Sequence, residues 1–103
     1  MATRTVTTFD EQTGITTVSD DFIVNPNKEV SVVARLISGT PATGARVLVT
    51  LDDTQKIVAG TAAWVASPLG NHLVSSAEKL LRPVTGVRLS VTDGTWGLQV
   101  RQG

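Results

Sequence analysis

The 103-residue sequence contains no cysteine and no tyrosine, one histidine, and only Phe9, Phe22, Trp64 and Trp96 as aromatic residues. Without cysteine there can be neither a disulfide framework nor a thiolate metal site, so stability must come from packing, from metals other than thiolate-bound ones, or from association with other chains. Charge of one sign is also missing. Nine basic and nine acidic side chains cancel and are scattered along the chain. Nucleic acid and anionic membrane both attract a concentrated positive field, so neither is expected as a partner. No segment approaches the roughly 20 apolar residues of a membrane span, and MATRTVTTF lacks the apolar run of a signal peptide, which implies a soluble protein made in a cytoplasm. Internal repeats and low-complexity linkers are absent too, which leaves one domain over residues 1–103.

What the sequence does have is threonine and valine, β-branched residues that favour strands. Apolar residues make up an ordinary 41% of the chain, but they are mostly small or aliphatic, so the expected core is thin. The clearest pattern is Gly86 to Gln102, GVRLSVTDGTWGLQVRQ. Asp93-Gly94 suits a two-residue type I′ turn, and apolar and polar residues alternate on both sides of it. Counting outward pairs Val91 with Trp96, Leu89 with Leu98 and Val87 with Val100, all on one face. Arg88, Ser90, Gly97, Gln99 and Arg101 share the other face, with Arg88 opposite Gln99.

The rest of the chain reads the same way. Thr3 to Phe9 and Ile15 to Val18 are expected to form a hairpin around the turn-rich DEQTG. Asp21 to Val24 is a short strand followed by an Asn25-Pro26-Asn27-Lys28 turn. Glu29 to Ile37 points Val30, Val32, Ala34 and Leu36 inward. SGTPATGA, residues 38–45, is a loop, and Arg46 to Leu51 is a strand with Val47, Val49 and Leu51 on one side. Asp52 to Gln55 turns the chain into a strand over Lys56 to Ala66, although TAAWVA could also begin a helical turn. SPLGNH, residues 67–72, is a loop, and Leu73 to Arg82 is an irregular strand or a single helical turn. About eight strands joined by short turns, without βα alternation, imply an all-β antiparallel sandwich or jelly roll. Residues 1–8 are either an extended arm or an edge strand.

Few side chains suggest chemistry. His72 stands in an expected loop and reads as an exposed histidine rather than a catalytic base, and no nucleophile motif accompanies it. Asp20-Asp21 and Asp52-Asp53 offer paired carboxylates at turns, without the graded spacing of a calcium loop. Gly39 and Gly44 have phosphate-loop spacing but lack the following Lys and Ser/Thr, and a strand follows them instead of a helix. No catalytic residue, metal or cofactor is therefore expected, and a small hydrolase is disfavoured. Trp64 could contact a glycan, whereas Trp96 falls on the core row. Arg88, Gln99 and Arg101 on the outer row are either solvated or in contact with another subunit.

Pro83 to Gln102, PVTGVRLSVTDGTWGLQVRQ, resembles the closing hairpin of small β-rich structural proteins in tailed-bacteriophage particles, where a P-x-T-x-[IV]-R-[VL] strand, a polar or Gly-rich turn and an aliphatic strand recur. The resemblance covers about a fifth of the chain. It implies a non-enzymatic virion component, a capsid decoration or cement protein or a small head- or tail-fibre subunit, made in the host cytoplasm. The thin core, the extended amino-terminal strand and the neutral charge add the expectation of a homo-oligomer, a trimer or an array. The resemblance adds a major capsid or other virion protein as partner, held by many weak contacts. Arg4 and Val6 on the first strand, with Arg88, Gln99 and Arg101, are the candidate subunit contacts. The alternative is a glycan- or receptor-binding sandwich with Trp64 in its site.

Overall fold

The computed structural model describes residues 2–80 and 83–102. They form nine strands: β1 (Thr3–Thr5), β2 (Phe9–Ile15), β3 (Asp21–Ile23), β4 (Val30–Ser38), β5 (Ala45–Thr50), β6 (Val65–His72), β7 (Ser76–Leu80), β8 (Gly86–Val91) and β9 (Thr95–Gln102). One helix, α1 (Thr54–Ala59), lies between β5 and β6. The strands make a five-stranded sheet, β1-β3-β8-β5-β6, and a four-stranded sheet, β2-β9-β4-β7. Every pairing is antiparallel except that of β1 with β3. The sheets pack face to face as a sandwich. Phe22, Val47, Val87 and Leu89 come from one inner face and Val30, Val32, Trp96, Leu98 and Val100 from the other, and each is at most 1% exposed.

The final hairpin is not a hairpin. β8 pairs with β3 and β5, while β9 pairs with β2 and β4, so the chain crosses from one sheet to the other at residues 92–94. The six alternating apolar residues are all buried as expected, but they face one core from opposite sheets. Arg88 and Gln99 consequently lie on opposite outer surfaces. Among the described residues no non-glycine has a positive φ, whereas a type I′ turn needs one at Asp93. The Asp93 carboxylate is instead turned toward the β4–β5 loop, where it accepts from the amides of Ala42 (2.8 Å), Thr43 (3.2 Å) and Gly44 (2.5 Å). These bonds, the one from Gly44 foremost, lower its pKa below the usual carboxylate value. The Asp93 carbonyl accepts from Trp96 Nε1 at 2.9 Å, which satisfies the polar atom of the largest core side chain.

Other departures have local causes. The expected amino-terminal hairpin does not form: β1 and β2 belong to different sheets, and DEQTG lies within β2. Polar residues suit β2 because it is an edge strand, and Gly14, at φ +69°, marks a register shift between Gln12 and Ile15 rather than a turn. Residues 54–59 are helical, not extended. The Asp53 carboxylate accepts from the Lys56 amide at 3.1 Å to cap α1, and Gly60 ends it in the left-handed conformation. Ile57, 1% exposed, anchors the helix on the outer face of the five-stranded sheet. A methyl group on Gly86 would stand only 3.0–3.1 Å from Ile57 Cδ1, Thr50 Cγ2 and Trp64 Cη2, so glycine there permits the close packing.

SPLGNH is part of β6 and not a loop, but it bulges. Asn71 pairs with Arg46 and Ala66 with Leu48, leaving residues 67–70 opposite Val47 alone. Pro68 is tolerated because β6 is an edge strand. Leu51 is 72% exposed and leaves the row of Val47 and Val49. The segment from Leu73 resolves into strand β7, as one of its two readings expected, and its last residues, Leu81 and Arg82, lie outside the described residues.

Candidate functional site

The alternation of β8 directs Val87 and Leu89 into the core and Arg88 outward. On the neighbouring β3, Phe22 enters the core and Asp21 faces out. The two outward charges meet: Arg88 Nε donates to Asp21 Oδ1 at 2.8 Å, with the side chains 16% and 5% exposed. The Arg88 guanidinium also lies over the Trp64 ring, 4.0 Å from its centroid. Trp64 reaches this position because α1 and the segment after it fold back over Gly86. Asp21, Arg88 and Trp64 thereby form the floor and one wall of a half-open pocket of about 330 Å³, lined also by Ile57, Val58, Ala59, Gly60 and Ala62. The expected role of Arg88 as a surface side chain gives way to that of a clamped group lining a cleft. Trp64 is half-buried within the same cleft.

The two sides of the sandwich differ sharply. On one side, β1 and β2 are laced together by charge. Arg4 Nε donates to Asp20 Oδ2 at 2.9 Å, Arg4 Nη1 donates to the Glu11 carbonyl at 3.1 Å, and the Asp20 amide donates to Gln12 Oε1 at 2.8 Å. The hydrogen bond to Asp20 raises the Arg4 pKa above its already high value. Val6 is 5% exposed and belongs to the protein's own core. On the other side, Val65, Leu69, Leu73 and Val74, along β6 and its connection to β7, are 62%, 60%, 48% and 65% exposed.

His72 is not an exposed loop residue. It ends β6 at 8% exposure, and its Nε2 lies 2.6 Å from Glu78 Oε2 on β7, so a buried polar pair ties the edge of one sheet to the edge of the other. The paired carboxylates at the two turns are spent separately: Asp20 on Arg4, Asp21 on Arg88, Asp52 on the Ala63 amide and Asp53 on the helix cap. Among the described residues no three His, Cys, Asp or Glu side chains come together to hold a metal ion.

Of the five candidate contact residues, Val6 is in the core and the other four fall on three surfaces. Arg4 lies at the laced edge and Arg88 on the outer face of the five-stranded sheet. Gln99 and Arg101 lie on the outer face of the four-stranded sheet, where Gln99 Nε2 donates to Glu11 Oε2 at 2.8 Å and Arg101 covers Phe9. Sequence reasoning missed the pocket, because its residues come from three segments that only the tertiary fold brings together. The one usable signal was the pair Asp53 and Gly60, which bracket a six-residue helix.

The class that this architecture defines is a two-sheet, mostly antiparallel β-sandwich. No family model and no curated protein matches the chain. One solved structure, described as "Bacillus endospore appendages form a novel family of disulfide-linked pili", superposes with a TM-score of 0.39 at 18% sequence identity, covering 91% of this chain and 81% of that one.

Proposed function

We propose that the protein is a non-enzymatic structural component of a bacteriophage virion, a capsid decoration or cement protein or a small head- or tail-fibre subunit. It acts through multivalent contacts with other copies of itself and with a major capsid or other virion protein. The observation that carries the reading is the asymmetry of the two sides. One carries the ion-paired and hydrogen-bonded side chains of Arg4, Asp10, Asp20 and Gln12 and exposes one large apolar residue, Phe9, and the other leaves Val65, Leu69, Leu73 and Val74 open to solvent. Apolar side chains gathered along a sheet edge mark a surface that another chain covers. The resemblance of Pro83 to Gln102 to virion proteins, which is one of sequence and not of a hairpin because β8 and β9 lie in different sheets, supplies the kind of assembly. In this reading the β6–β7 edge is the principal contact, and the outer row with Gln99 and Arg101 is a secondary one.

Sedimentation of the intact chain and of a Leu69→Ser, Val74→Ser variant, with co-sedimentation on capsids lacking the protein, tests the proposal. The intact chain should self-associate or bind particles. The variant should do neither while keeping its β-sheet circular dichroism. An intact chain that stays monomeric at high concentration and binds no capsid sinks the proposal, as does a variant that assembles as well as the parent.

A further inference from the structure

We infer that the pocket beneath α1 binds an uncharged saccharide, one sugar ring at a time, through Asp21, Arg88 and Trp64. The inference does not rest on the virion reading, since the pocket is complete within one chain. Its volume of about 330 Å³ is at the small end of ligand pockets and matches a ligand of one ring rather than a chain or a large cofactor.

The polar groups select the chemistry. Asp21 and Arg88 bring equal and opposite charge, so the floor carries no net charge, and a charged ligand would gain from one group what it loses to the other. Among the described residues, Arg88 makes one side-chain hydrogen bond, from Nε to Asp21 Oδ1. Its two terminal nitrogens and the second Asp21 oxygen remain as donors and an acceptor side by side. Neighbouring hydroxyl groups, each able to donate and accept, match that arrangement; a carboxylate, which only accepts, does not.

The apolar groups supply the rest. The Trp64 indole lines the cleft with one face already covered by the Arg88 guanidinium, so the apolar surface left for the C–H face of a sugar is the remainder of the indole. Small residues opposite it, Ala59, Gly60 and Ala62, leave the space open. The site is also rigid before anything binds. Arg88 is fixed by its ion pair and by the ring 4.0 Å away, and Ile57 pins α1 to the sheet. Little side-chain freedom is left to lose on binding.

An amide-resolved NMR titration with D-glucose, D-galactose and D-mannose, and with D-glucuronate as the anionic comparison, tests the inference on the chain alone. At least one neutral hexose should saturably shift the Trp64 indole N–H and the Ala59–Ala62 amides, with a dissociation constant on the order of 1–10 mM for so small a ligand. The indole of Trp96, fully buried in the core, should not move. Arg88→Lys keeps the charge but loses the planar fork, and should weaken binding roughly tenfold. Ala62→Leu fills the cleft without touching the ion pair, and should abolish the shifts while leaving the remaining amide spectrum in place. If no neutral hexose moves these resonances up to about 100 mM, ten times the weakest affinity expected, the inference fails. It fails equally if glucuronate binds in preference, or if Ala62→Leu folds and binds as the parent does. Because sedimentation reads the virion proposal independently, either can fail without the other.

Discussion

Gly44→Ala should damage this protein far more than Gly14→Ala, although both glycines have left-handed backbones, at φ +83° and +69°. At Gly14 nothing lies within 4 Å of the position a Cβ would take. The cost there is the conformational one, about 1–2 kcal/mol for an L-residue held in this region. At Gly44 the new methyl would overlap the His72 carbonyl oxygen and stand 2.9 Å from the His72 carbonyl carbon and 3.3 Å from Leu73 Cδ2. Two of these three atoms are backbone, so no rotamer change relieves the overlap and the end of β6 must move. That end is where Ala45 pairs with His72, beside the buried His72–Glu78 pair. Overpacking adds about 1–3 kcal/mol, for about 2–5 kcal/mol in all. The movement also pulls the Gly44 amide from Asp93 and its carbonyl from the Thr92 amide, now 2.9 Å away. Against a total stability of about 5–15 kcal/mol this leaves little or no folded protein at the weak end of the range. Equilibrium urea unfolding of the two variants, followed by circular dichroism, reads the difference directly. Equal midpoints would show that the β4–β5 loop does not press on β6, and the packing argument at this corner would be wrong.

Two further outcomes follow from the burial pattern and from the lowered Asp93 pKa. Leu89→Ala and Leu98→Ala, both at fully buried sites, should each cost about 2–5 kcal/mol, whereas Gln99→Ala on the half-exposed outer row should cost under about 1 kcal/mol; similar losses in the same unfolding assay would mean that both faces of β9 are buried. The folded-state pKa of Asp93 is depressed, so its contribution is complete above the ordinary aspartate value of about 3.9 and is withdrawn as the pH falls through the lowered value. The melting temperature should therefore drop in acid, and Asp93→Asn should flatten that part of the profile; a variant whose acid limb coincides with the parent's would remove Asp93 from the account.

Alternation along residues 86–102 specified which side chains are buried, and all six apolar ones are. It could not specify strand partners, because a strand that folds back in its own sheet and one that crosses to the facing sheet show the same period of two. The compensating clue was chemical. An aspartate beside a glycine suits a tight turn, but a carboxylate can equally leave that turn to satisfy three distant amides, and only the fold decides which. The helix was hidden by the β-branched Ile57 and Val58, which outweighed the two capping residues in a stretch of six. β2 was hidden because edge strands favour the same polar residues as turns. The pocket was the least legible feature, since Asp21, Trp64 and Arg88 become neighbours only when α1 folds over Gly86.

The position of the last two strands has a kinetic consequence. Of the eight connections between successive strands, only that from β5 to β6 remains within one sheet. β8 is the middle strand of its sheet, and β9 joins β2 to β4. Until both are available, the first sheet is two separate pairs, β1 with β3 and β5 with β6, and in the second β4 has only β7 while β2 has no partner. A ribosome-bound chain that has emerged only as far as β7 can therefore build no closed layer, and its unpaired strand edges remain open to neighbouring chains. Pairings between segments so distant in sequence also slow the search for the native arrangement. The domain should fold late and all at once, with the arrival of β8 and β9 as the committing step.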